Sequence, residues 1–135
     1  MSHFSVFNIG SNHTAAEPNQ TIGVLGKECY YGSSAHKILT DGVKTLGGGY
    51  AGYFPKRLEV TVDAILKGDL PNIISYRGGG ITQNNCTQPL RSGDTVNLTG
   101  HSRGAVMCHL VANRLAESVN DLTINIIVRD PVNMT

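Results

Sequence analysis

The ten residues from Val96 to Ala105 (Val-Asn-Leu-Thr-Gly-His-Ser-Arg-Gly-Ala) constrain the fold more than any other part of the chain. A short β-favouring run leads into Gly-x-Ser-x-Gly, and a long apolar segment of helical period leads out. A strand joined to a helix by so short a turn must bring the two close together. Gly100 and Gly104 flank Ser102 at positions where a side chain would crowd the turn or the approach of helix to strand. This is the sequence form of a nucleophile elbow, a strained turn that pushes a serine hydroxyl clear of the sheet. Glycine and serine are common in turns, so the bare motif says little, and the plain alternative is a solvated serine. The flanks carry the information. They make Ser102 the candidate nucleophile, with Gly100, His101 and Gly104 forming the elbow. The helix N-terminus that follows aims N–H groups at the point where an oxyanion would form, and the backbone N–H of Arg103 is the expected donor.

Downstream, Ala105, Cys108, Val111, Ala112, Leu115 and Val119 form one apolar stripe on a helix expected over Gly104 to Ser118. A turn at Asn120 or Asp121 separates it from Thr123 to Val128, whose apolar density suits a strand covered on both faces, as in a parallel sheet. Strand, helix and strand from 95 to 128 make a βαβ unit, with a right-handed crossover expected. Upstream, Phe4 to Ile9 alternates as a strand and breaks into a polar loop from Gly10 to Gln20. Thr21 to Gly32 reads mostly as loop. Ala35 to Thr40 is compatible with the start of a helix or with a short strand, and Gly42 and the glycines at 47–49 favour the strand followed by a mobile loop. Pro55 to Lys67 is the first clear helix, with Pro55 in its first turn and Leu58, Val62, Ile65 and Leu66 on one face. Gly68 and Pro71 end it. The segment from there to Asp94 reads as an irregular surface excursion, with a cover over an active site as the alternative. The fold class is α/β, with a mostly parallel sheet flanked by helices.

Asp130 directly follows the last apolar run. Sites in open parallel sheets collect beyond the carboxyl ends of strands, so Ser102 and Asp130 are expected at one edge of neighbouring strands. A carboxylate there can orient a histidine that deprotonates the serine. The plain alternative for Asp130 is a turn residue before proline.

Composition narrows the function classes. At 135 residues the chain is one domain, small for a complete hydrolase sheet. Hydrophobic residues at 40% and charged residues at 16% exclude a disordered chain. A net charge of +1 without a Lys/Arg cluster gives no sign of a nucleic-acid partner. No apolar run approaches the roughly 18 residues of a membrane span, and the N-terminus does not read as a secretory leader. Cys29, Cys86 and Cys108 have no CxxC spacing, so neither a disulfide framework nor a zinc site is indicated, and no cofactor is expected. Arg77-Gly78-Gly79-Gly80 lacks the lysine and helix of a phosphate-binding loop. A cytoplasmic place of synthesis follows, and export by a specialised secretion route stays compatible with this.

The stretch Gly-His-Ser-Arg-Gly-Ala, with Ala112-Asn113-Arg114-Leu115 after it, resembles the α/β-hydrolase-like family that includes type VI secretion phospholipase effectors and other bacterial effector-like proteins. Asp130-Pro131-Val132 is similar to the motif that ends that family's next strand. Val6 to Asn12 resembles its opening strand and Asp-Gly-Thr-x-Asn loop, and Lys37 to Val43 resembles its strand ending in Gly-Val-Gly. The resemblance implies Ser102 as nucleophile, Asp130 as triad acid, and the Gly10–Ser11 turn as a second oxyanion donor beside Arg103. Ile9 departs from it, standing where the family usually has aspartate.

The triad order Ser, Asp, His leaves the base unassigned, because no histidine follows Asp130. His101 is expected to point away from the hydroxyl. His109 falls roughly 10 Å along the helix axis from Ser102, a core or flank position. His3 begins the first strand at its far end, and His36 belongs to no motif. His13, in the loop after the first strand, is the one local candidate base. The expected domain therefore spans 1–135 as a partial hydrolase sheet lacking the C-terminal strand and loop that would carry the histidine. Its outermost strand would be open to a second copy or a partner chain. Two functions are consistent with these residues. One is a cofactor-free serine hydrolase core acting on a small-molecule or lipid ester. The other is a catalytically incomplete hydrolase-like module that binds a protein partner.

Overall fold

Five short segments become the strands of the described sheet, and two amphipathic segments become helices laid across one of its faces. The computed structural model of the chain describes residues 2–10, 22, 36–42, 49–68, 81–84 and 86–129. The elements are β1 (His3–Asn8), β2 (His36–Thr40), α1 (Gly49–Lys67), β3 (Ile81–Asn84), β4 (Thr95–His101), α2 (Arg103–Ser118) and β5 (Thr123–Arg129). Strand order is β3-β2-β1-β4-β5. β1, β2, β4 and β5 are parallel, and only β3, at one edge, runs antiparallel to its neighbour β2. The α/β class and the mostly parallel sheet are thus present.

One face of the sheet carries Phe4 and Val6 of β1, Ile38 of β2, and Val96 and Leu98 of β4. With Val62, Ala64 and Ile65 of α1 and Met107, Cys108, Val111, Ala112 and Leu115 of α2 they make the main core. The stripe read on α2 is the buried face, and Val62 and Ile65 are the buried centre of the α1 stripe, with Leu58 and Leu66 packed at its margin. Arg57 is also buried on α1, at 2% exposure, a charge that the apolar stripe does not announce. On the opposite face Phe7, Ile9, Leu39 and Ile22 form a second, smaller cluster.

Three expectations are corrected. α1 begins at Gly49, so Pro55 lies in its second turn and not its first, and the helix runs on without a donor at that nitrogen. Residues 81–84 form β3 where an irregular excursion was expected. A four-residue polar segment has too little periodicity to reveal a strand, and pairing with β2 supplies what the pattern lacks. β5 is not covered on both faces. Ile124, Ile126 and Val128 pack against the core, while Thr123, Asn125, Ile127 and Arg129 are exposed, Ile127 at 72%. Its apolar density reflects one packed face and one exposed isoleucine.

At the amino edge of the sheet, the buried carboxylate of Asp94 accepts the N–H of Ser2 and that of Arg91, each at 2.8 Å. The Asp94 carbonyl accepts from Thr123 N–H at 3.1 Å, so this one residue ties the starts of β1, β4 and β5 together. His36, at the start of β2, stacks on Phe4 with centroids 4.5 Å apart, and its Nδ1 accepts the Thr87 N–H at 3.1 Å.

Burial pushes the Cys86 thiol up to about 12 and that of Cys108 to about 11, the second partly offset by the Asn8 amide that donates to it. Both folded values lie above the ordinary 9.0, so the stability these thiols contribute is complete below about pH 9 and is lost as pH rises towards 11 and 12. Iodoacetamide at about pH 8 should leave both unmodified in the folded chain and alkylate both in urea, with peptide mass mapping as the readout.

Candidate active site

The site is built from the backbone first. A Cβ placed on Gly100 would stand 2.4 Å from the Gly104 carbonyl oxygen, and one on Gly104 would stand 2.2 Å from that of Asn8. The first turn of α2 therefore rests directly on the main chain of β4 and β1. Only residues without a side chain permit that approach, which is the reason the motif carries glycine at both places.

Between the glycines, Ser102 adopts φ 57 and ψ −123, a region that residues with a side chain rarely occupy. Strain of this kind costs about 1–3 kcal/mol and persists where surrounding contacts enforce it. Those contacts are present. Ser102 N–H donates to the Arg129 carbonyl at 3.0 Å, and its carbonyl accepts from Ala105 and Val106 at 3.0 and 3.4 Å. An ordinary helix-capping serine sits in the β region and turns its hydroxyl back on the helix N–H groups. Ser102 makes no side-chain capping bond, and the residue is partly accessible. The backbone geometry thus separates this serine from the capping residue that a strand-to-helix turn usually carries.

The strand order reverses at this point. β2 lies on one side of β1 and β4 on the other, so the carboxyl ends of β1 and β4 flank the switch point where open α/β sheets form their binding crevice. Gly10, just past β1, lies against the elbow; a Cβ there would be 3.2 Å from both Cδ2 and the carbonyl oxygen of His101, and 3.5 Å from Ser102 Cβ. Beneath the rim, Asn8 donates its amide to Cys108 Sγ at 3.3 Å and accepts the Thr40 hydroxyl at 2.9 Å. Ile9 N–H donates to the Thr40 carbonyl at 3.2 Å. This buried set fixes the ends of β1 and β2 against α2. No motif marks Asn8 or Thr40; the only signal was a polar residue at an inward position near a strand end.

His101 pairs opposite Arg129 across β4 and β5, and its Nδ1 lies 3.2 Å from the Arg129 carbonyl oxygen. Parallel pairing brings the chain out of β5 on the edge where β4 turns at Ser102. Asp130 itself, with His13 and Ser11, lies outside the described residues, as do Arg77 to Gly80 and Pro131-Val132. The remaining histidines are away from Ser102. His36 pairs with Phe4 at the amino edge, His3 is exposed at the start of β1, and His109 is exposed on the flank of α2. Arg103 heads α2, where backbone N–H groups have no carbonyl one turn back in the helix. Among the described residues no three His, Cys, Asp or Glu side chains gather as metal ligands, and no helix is long and apolar enough to cross a membrane. A cleft of about 290 Å³ opens at the amino edge between Ser2, Gln88, Arg91 and Asp94. It is on the other side of the sheet from the elbow, and its carboxylate is already taken up by two backbone N–H groups.

The clearances order three substitutions. Gly104→Ala drives a methyl into main-chain atoms and should destabilise the fold by about 2–4 kcal/mol, with Gly100→Ala close behind. Gly10→Ala meets only 3.2 Å contacts and should cost about 1 kcal/mol. Urea midpoints of the three variants check the order.

Compared with protein-family models, curated proteins and solved structures, the chain matches none of them.

Proposed function

We propose that this chain is a serine hydrolase core that cleaves an ester, with a lipid or acyl ester as its substrate class and Ser102 as its nucleophile. The observation that carries this reading is the backbone of Ser102, held at φ 57 and ψ −123 between two glycines that no side chain could replace without collision. Strain of this order at a partly accessible serine, at the switch point of a parallel sheet, is a hallmark of residues that present a functional group to a substrate. The Gly-His-Ser-Arg-Gly-Ala resemblance to the α/β-hydrolase-like effectors agrees with it.

In the reaction, Ser102 Oγ attacks the ester carbonyl carbon while a general base takes its proton. The oxyanion receives hydrogen bonds from the Arg103 N–H and from the Gly10–Ser11 turn. Collapse breaks the ester C–O bond and the alcohol leaves with a proton. Water then attacks the acyl-serine, releasing the acid and restoring the hydroxyl. Asp130 is the proposed acid and His13 the local candidate for the base, unless a later histidine supplies it. The protein needs no cofactor in this scheme. It is made in the cytoplasm, and a specialised secretion route is compatible with the reading.

The second reading, an incomplete hydrolase-like module that binds a partner protein, is favoured by one observation. The histidines on β1, β2 and α2 all lie away from Ser102, and His101 Nδ1 is engaged by a backbone carbonyl. A fluorophosphonate probe separates the two. The hydrolase reading expects stoichiometric labelling that Ser102→Ala abolishes; labelling that persists in Ser102→Ala, or none in the wild type, overturns it.

Self-association belongs to the same proposal. β5 is an edge of the described sheet, with no proline and a single charge, Arg129, at its end. Such an edge is poorly protected against pairing with a second copy. Light scattering across a concentration series should show association that Ile127→Lys reduces, and a monomer at every concentration would remove this part of the proposal.

A further inference from the structure

The carbonyl of Arg129 receives two donors from the elbow, Ser102 N–H at 3.0 Å and His101 Nδ1 at 3.2 Å. A carbonyl oxygen only accepts, so a bond from the ring requires the proton on Nδ1, which in the neutral imidazole leaves the lone pair on Nε2. Both lone pairs of that oxygen are then committed to consecutive residues of β4 and its turn. The carbonyl belongs to the peptide that links Arg129 to Asp130, so the two bonds hold the exit of β5 against the elbow. The other side of the same ring faces the end of β1. Its Cδ2 is so near Gly10 that a methyl there would stand 3.2 Å away. One side chain thus spans the rim from the turn after β1 to the last carbonyl of β5, with Ser102 next to it in the chain.

There is a further consequence for Ser102. Its own N–H is committed to Arg129, so oxyanion donation falls to the residues on either side of it, the start of α2 and the turn after β1.

We propose that His101, in its Nδ1–H tautomer, is a positioning residue: it holds Gly10 and the Arg129 carbonyl at fixed distances from Ser102. This rests on the hydrolase reading for its catalytic meaning, while the tautomer and the clamp stand on geometry alone. His101 contacts no substrate in this role and takes no proton. A general base could not be replaced by an amide, whereas a donor can. In His101→Asn the side-chain amide can donate close to the place of Nδ1, and in His101→Phe the ring volume stays and the donor is lost.

The experiment uses the full chain. Long-range nitrogen–proton NMR spectra of the imidazoles at mildly alkaline pH should show the His101 proton on Nδ1; a proton on Nε2 overturns the clamp. Fluorophosphonate labelling rates are then compared for wild type, His101→Phe and His101→Asn, with urea midpoints recorded alongside. His101→Phe should label about 10- to 100-fold more slowly and His101→Asn should recover to within roughly fivefold of wild type, at similar midpoints. Wild-type labelling by His101→Phe, or equal loss in both variants, overturns the positioning role while leaving Ser102 as nucleophile. If the wild type does not label, the hydrolase reading fails and the clamp is decided by the tautomer and by Ser102 amide exchange. That exchange should quicken about tenfold in His101→Phe, and unchanged exchange overturns the clamp.

Discussion

Everything at the carboxyl edge of this sheet depends on how closely the start of α2 approaches the main chain of β1 and β4. The approach is closer than any Cβ would allow, with clearances of 2.4 and 2.2 Å to carbonyl oxygens at the two glycine positions. A helix set so low over a strand leaves the connecting residue no ordinary conformation, and Ser102 takes the strain. The cost of about 1–3 kcal/mol is offset by the burial of the α2 stripe and by the bonds that hold the turn. Neither the elbow nor the core is independent of the other. The buried residues Ala105, Cys108, Val111, Ala112 and Leu115 press the helix down, and the glycines decide how far it can go.

The two edges of the sheet are built for different tasks. At the amino edge Asp94 gathers N–H groups from the chain around it, and His36 stacks on Phe4, so polar groups there are consumed by structure. At the carboxyl edge a serine remains partly accessible and makes no side-chain capping bond to the helix. Asn8, Thr40 and Cys108 form a buried polar set just beneath, satisfied among themselves, which stiffens the floor of the site. The strand order reverses between β1 and β4, the place where open α/β sheets commonly bind their ligands.

The two faces also differ. Both described helices lie on one of them, joined across their exposed sides by Arg114 and Glu59, whose pairing holds the Glu59 carboxyl below its ordinary range. On the other face β5 presents Asn125 and Ile127 outward, with Asn125 donating to Asn97 of β4 at 3.0 Å. Both described helices pack on the Ile124, Ile126 and Val128 face of β5, which is why its apolar density overstated how far it is covered.

The sequence by itself determined the elements whose signals are local. Gly100, Ser102 and Gly104, between a β run and a helical stripe, specified a tight strand-to-helix turn, and α2 and β4 follow within a residue or two. The alternation in β1 and the buried stripe on α1 were equally legible, because side-chain period is set by backbone geometry alone, while β2 was marked only by the glycines that follow it. Tertiary structure decided what depends on a neighbour. It made β3 a strand by pairing it with β2, and left one face of β5 exposed by laying both described helices on the other. It also chose the partners of the elbow, setting Gly10 beside His101 and the Arg129 carbonyl over Ser102. These contacts join residues from about 30 to 90 positions apart, and no local pattern encodes a distance closed only when the sheet assembles.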